Sequence, residues 1–176
     1  MAKQYEKLTQ NDQEFIKKQK LFYLASSSNA EVNLSPKGYD SIRILSASQV
    51  LFLDFPGSGN RTARDITNDG EITLLFNAFE GDALILRLFC KGEVITPNDD
   101  RFPDFIERFG VNSKSIRQFF LFDIYAVETS CGEAIPFMEF KAERKSLKNW
   151  AKSMADEGVL QAYIDDHKIP SNLKGL

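Results

Sequence analysis

The residues best placed to do chemistry lie in one run, Pro56-Gly57-Ser58-Gly59-Asn60-Arg61-Thr62. An apolar, β-forming segment, Val50 to Leu53, precedes it, and a helix-compatible segment follows. Two glycines free the backbone between them. Asn60 or Ser58 can cap the helix, with Arg61 in its first turn. A strand, a glycine turn and a helix start bearing an arginine form an anion-binding arrangement, because free N–H groups and the helix dipole favour negative charge there.

Two other readings of the run compete with this one. Gly57 and Gly59, with Thr62 at the third position, partly match a dinucleotide-binding G-x-G-x-x-G, and Glu80 stands near the spacing of a ribose-binding acid. A parallel crossover needs a dozen or more residues, however, and only about ten separate Thr62 from Ile72. The third reading is a plain tight turn with Arg61 as a surface charge.

Other chemistry is scarce. A single histidine, His167, argues against Ser-His-Asp triads and multi-histidine zinc sites. Cys90 and Cys131 have no metal or redox spacing, and no metal site is expected. Two thiols and a polar first dozen residues lacking an apolar signal segment predict a reducing, cytoplasmic setting. No apolar run approaches the roughly 20 residues of a membrane span. A formal charge of −3 argues against general nucleic-acid binding.

The elements that must position the run read mainly as β. Segments 21–25, 32–35, 42–45, 50–53, 72–76, 83–95 and 117–129 carry strand patterns, with short turns between most of them. Helices are expected over 11–20, 61–68, 97–109, 139–157 and 159–167. Six or seven strands joined by short turns indicate an antiparallel sheet that closes toward a barrel, since closure removes edges. With 43% hydrophobic residues, 176 residues suffice for one core. Residues 1–140 are read as the barrel, and residues 141–176 as a helical extension packed on it or on a partner.

Individual residues have plainer readings. Cys131 is expected to be a buried, inert cysteine, Trp150 to pack with Leu147 and Met154, Glu80 and Asp82 to form a turn, and His167 to be exposed. Arg87, a charge within an apolar strand, needs a partner, either a salt bridge or a bound anion.

Four segments carry a wider resemblance: VNLSPKG at 32–38, LFLDFPGSGNRTARDI at 51–66, ITLLFNAFEGDALILRLFCKGEV at 72–94 and SCGEAIPFMEF at 130–140. Together they resemble the pyridoxamine 5'-phosphate oxidase-like proteins of the FMN-binding split-barrel superfamily. The resemblance implies a six-stranded antiparallel split barrel, flanked by helices, forming a homodimer with FMN at the subunit interface. It implies that the family's phosphate-binding segment falls on Asn60, Arg61 and Thr62, with Ser58 beside it. An earlier flavin-facing strand falls on Asn33, Ser35 and Lys37, a flanking pair near Leu53 and Asp54, and a later polar position near Arg87.

The resemblance further implies a flavin-dependent oxidoreductase, with NAD(P)H or a small molecule as partner, or alternatively a protein that binds FMN or a related flat ligand without turnover. Two family features are missing. The chain ends in IPSNLKGL rather than the oxidase's Trp-Arg-Leu-x-Pro, and Asp165 stands two before His167 where the oxidase has arginine. Pyridoxamine 5'-phosphate itself is therefore not the expected substrate.

Overall fold

The computed structural model describes residues 2–29, 31–168, 170 and 173. Of the terminal IPSNLKGL segment, only Pro170 and Leu173 fall among the described residues.

Among the described residues, eight antiparallel strands form one sheet: β1 (Lys3–Tyr5), β2 (Phe22–Ser27), β3 (Asn33–Lys37), β4 (Ile42–Ser46), β5 (Gln49–Asp54), β6 (Glu71–Asn77), β7 (Ile85–Ile95) and β8 (Gln118–Ser130). Their order is β3-β2-β6-β7-β8-β5-β4, with β1 added to β8. The strand missed in the sequence is β1. Its three residues are mostly polar and exposed, and it exists because β8 outruns β5 and leaves Val127 to Thr129 free to pair.

β8 is the spine. It pairs along its whole length with β7, and on its other side first with β5 and then with β1. The sheet curls, so Phe22 of β2 meets Phe52 of β5, ring centroids 5.6 Å apart, although three strands separate them in the sheet. Among the described residues no ladder joins β3 to β4, so the barrel is open between them.

Leu24, Phe52, Leu74, Leu88 and Phe122 fill the interior. A second apolar layer lies outside β5 and β8, where Leu51, Leu53, Phe119 and Leu121 meet Phe102 and Phe105. Two-sided burial explains the unbroken apolar run Val50 to Leu53.

The helices are α1 (Gln10–Lys18), α2 (Arg61–Thr67), α3 (Phe102–Phe109), α4 (Ser146–Asp156) and α5 (Leu160–Asp166). α1 begins earlier than its apolar pattern suggests, because Thr9 and Asp12 form a reciprocal cap. α3 begins later than Pro97, since Asp99 holds the chain in a turn first. α2 lies inside the curl of the sheet, with Ala63 and Ile66 in the core. Gly92 of β7 permits this approach: a Cβ there would lie 2.8 Å from Ile66 Cγ1.

Candidate functional site

A cavity of about 320 Å³ opens where the end of β5, the loop to α2 and the edge strand β3 converge. Alternation along β3 turns Asn33, Ser35 and Lys37 inward and leaves Leu34 exposed. The loop and the start of α2 contribute Gly57 to Thr62, β5 contributes Asp54, β8 contributes Phe120, and Arg117 stands just before β8. Leu147 of α4 completes the wall, so the C-terminal extension borders the cavity.

Eight of the ten residues expected at the site line this one cavity: Asn33, Ser35, Lys37, Asp54, Ser58, Asn60, Arg61 and Thr62. The other two do not. Leu53 is buried in the outer apolar layer. Arg87 lies on β7, where Nη1 reaches Glu128 Oε1 at 3.3 Å and Ser130 Oγ at 3.0 Å. Of the two partners expected for it, the structure supplies the salt bridge.

The roles within the cavity differ from those read in the sequence. Asn60 starts α2 without a side-chain cap bond. Its Oδ1 accepts from Gln118 Nε2 at 2.8 Å, and its Nδ2 donates to the Lys168 carbonyl at 3.3 Å. Asn60 therefore ties the loop to β8 and to the C-terminal arm. Thr62 Oγ1 accepts from Asn33 Nδ2 at 3.2 Å, which leaves the hydroxyl proton available. α2 has only seven residues, so its dipole is short and side chains must carry most of any anion binding.

Besides Arg117, two cations line the space. Lys37 Nζ lies 5.6 Å from the centroid of the Phe52 ring. Among the described residues it has no hydrogen-bond or ion-pair partner. Burial pushes its pKa down from 10.5; Asp54 opposes the shift and Arg117 adds to it. Arg61 donates Nε to Glu31 Oε1 at 3.0 Å, while its Nη groups have no bond among the described residues. Glu31 also accepts from Arg64 at 2.8 Å, and chiefly for that reason its pKa falls to about 2. Arg64 in turn meets buried Asp65, which Ser26 and Ser28 also bind.

Arg117, Gln118 and Glu31 were not singled out in the sequence. Arg117 gave the same signal as Arg87, a charge at an apolar strand, and nothing local said which of the two would line a cavity. His167 lies away from the cavity lining, its ring stacked 4.1 Å from that of Tyr163.

A family model described as Pyridoxamine 5'-phosphate oxidase matches residues 8–131. The Pyridoxamine 5'-phosphate oxidase family protein ustO of Aspergillus flavus is 35% identical over 144 residues, covering 79% of this chain and 58% of the relative. The chain thus spans less than two thirds of that relative's length. Among solved structures, a candidate pyridoxamine 5'-phosphate oxidase from Lactobacillus delbrueckii superposes with a TM-score of 0.55 at 19% identity, over 70% of this chain and 98% of that one. HupZ from Group A Streptococcus gives 0.55 at 17% identity, over 68% of this chain and 91% of that one. At such identities the structural likeness shows the fold alone. The matched model and the curated relative show more: this chain belongs to the pyridoxamine 5'-phosphate oxidase family.

Proposed function

We propose that this protein binds FMN, with the flavin phosphate in the cavity between β3 and the 57–62 loop, and works as a flavin-dependent oxidoreductase. The observation that carries this reading is the half-buried side chain of Lys37, unpartnered among the described residues, lining the same cavity as Arg61, whose Nη groups are also unpartnered among the described residues. Lys37, Arg61 and Arg117 line the cavity against one carboxylate, Asp54, so the lining suits a phosphate carrying nearly two negative charges. Arg61 offers a planar fork, Lys37 a point charge, and Ser58 and Thr62 neutral hydroxyls. The donor set fits a terminal phosphate monoester, the group that FMN presents.

A bound flavin would supply the hydride and electron transfer. The chain's own part is to hold the phosphate and orient the ring. That division agrees with a cavity whose described lining includes no histidine or cysteine. The resemblance to split-barrel oxidases supports a homodimer with flavin at its interface, with NAD(P)H or a small molecule as the second reactant. Asp165, two residues before His167 where the oxidase has arginine, favours a substrate other than pyridoxamine 5'-phosphate.

The first test is the visible absorption of purified protein. The oxidised-flavin band, present as isolated or gained on FMN titration, supports the reading. Protein that stays colourless and quenches no flavin fluorescence on titration overturns it. NAD(P)H oxidation by the FMN-loaded protein, with a panel of acceptors, then separates turnover from binding alone.

A further inference from the structure

The loop between β5 and α2 has a feature that cofactor contacts alone do not explain. It is held from beneath by one buried guanidinium. Arg117 stands beside Asp54 at the junction of β8 and β5, their side chains each 6% exposed. Arg117 Nε donates to Asp54 Oδ2 at 2.9 Å, Nη1 to the Gly57 carbonyl at 3.2 Å, and Nη2 to the Gly59 carbonyl at 2.9 Å. Gln118 Nε2 reaches the same Asp54 oxygen at 2.9 Å and Asn60 Oδ1 at 2.8 Å. One side chain thus engages a carboxylate and two loop carbonyls at once, which a planar fork can do and an ammonium cannot do in the same geometry.

A buried ion pair is a weak source of stability, because apolar residues of similar volume often serve the fold as well or better. Its placement here is informative instead. Carbonyl oxygens at the rim of an anion cavity repel an anion. The two carbonyls that the glycines expose are the two that Arg117 engages. We infer that Arg117, neutralised by Asp54 and seconded by Gln118, is a positioning residue that fixes the 57–60 loop in the form that accepts a phosphate monoester. The inference rests on the flavin-phosphate reading and extends it to specificity. The protein distinguishes a phosphorylated ligand from its dephosphorylated counterpart through Arg117 as well as through Lys37 and Arg61.

The test is the ratio of FMN affinity to riboflavin affinity, measured by fluorescence quenching of each flavin on the full-length protein. Riboflavin lacks the phosphate, so loop geometry bears on FMN alone, whereas general loss of folding weakens both. Arg117→Met strands Asp54 without its cation, so the double variant R117M/D54N, neutral at both positions, is measured beside Arg117→Lys. Both are expected to lower the ratio at least about tenfold, the size of one charge-assisted hydrogen bond, with riboflavin affinity kept. A wild type that prefers FMN, together with a double variant that keeps the preference within about twofold, overturns the inference and leaves the flavin reading standing. A wild type without preference for FMN removes the phosphate reading and the inference with it.

Discussion

Arg61 Nε lies 3.0 Å from Glu31 Oε1, so the arginine that faces the cavity is already held from behind by a carboxylate. Glu31 is shared with Arg64, at 2.8 Å, and orients both guanidinium groups. This pair sets opposite expectations for its two members. Arg61→Ala is expected to weaken FMN binding by about 1.5–3 kcal/mol, the range for hydrogen bonds to charged groups. Glu31→Gln removes a negative charge beside the proposed phosphate site and is expected to tighten FMN. Fluorescence titration decides both, and an Arg61→Ala variant with wild-type affinity would move the phosphate elsewhere.

The same carboxylate gives an acid dependence. Glu31 titrates near 2 in the folded chain against an ordinary value of 4.5, chiefly through the Arg64 hydrogen bond. Its folded pKa is depressed, so its contribution to stability is full above about pH 4.5 and is lost as pH falls toward about 2. Thermal midpoints of wild type and Glu31→Gln should converge over that window. A gap that stays constant from neutral pH to pH 2 would show that Glu31 is not ion-paired in solution.

Lys37 titrates in the other direction. Burial lowers its pKa below 10.5 and so favours the neutral amine. Without ligand, folding becomes less costly as pH rises through the lowered value. A bound phosphate has the reverse preference and needs the ammonium. FMN affinity is therefore expected to fall on the alkaline side, starting below pH 10.5. Lys37→Met should remove that limb of the profile along with part of the affinity. A profile in the wild type that stays flat through pH 10.5 would place Lys37 away from the phosphate.

Gly92 and Ile66 couple the sheet to the site. A methyl group at Gly92 would lie 2.8 Å from Ile66 Cγ1 and 2.9 Å from Cδ1. Gly92→Ala is expected to cost about 1–3 kcal/mol as overpacking. Because Ile66 belongs to the helix that starts at Arg61, FMN affinity should fall too. The G92A/I66V pair, which removes one of the two crowded carbons, should recover part of the stability. Denaturant midpoints measure it, and no recovery would mean that the backbone, not Ile66, takes up the strain.

The two thiols should separate cleanly. Cys90 is fully buried in the interior, and burial pushes its thiol pKa well up; Cys131, expected from the sequence to be buried and inert, is exposed because it follows the end of β8. A thiol reagent should modify one cysteine quickly in the native protein and both in denaturant. Cys131→Ser should abolish the fast reaction. Two fast thiols in the native state would contradict the burial of Cys90.

Much of this protein is legible along the chain, where the signals are local. Alternating and unbroken apolar segments marked β2 to β8, because burial on one face or two leaves its pattern in the sequence. Gly57 to Thr62 announced a break between a strand and a helix. The family resemblance then drew Asn33, Ser35 and Lys37 into one site with that loop, although about twenty residues separate them in sequence. What only the tertiary structure decided concerns partners. β1 could not be read, because its reason for existing is the unpaired edge of β8. Arg87 and Arg117 look alike in sequence, yet strand register sets one directly opposite Glu128 and the other beneath the 57–60 loop beside Asp54. Asn60 and Arg61 were expected to serve a ligand first. Folding brings Gln118, Lys168 and Glu31 to them, so Asn60 became a tie and Arg61 a held cation. A charge or an amide states locally that it needs a partner; which partner it finds depends on contacts made across the whole barrel.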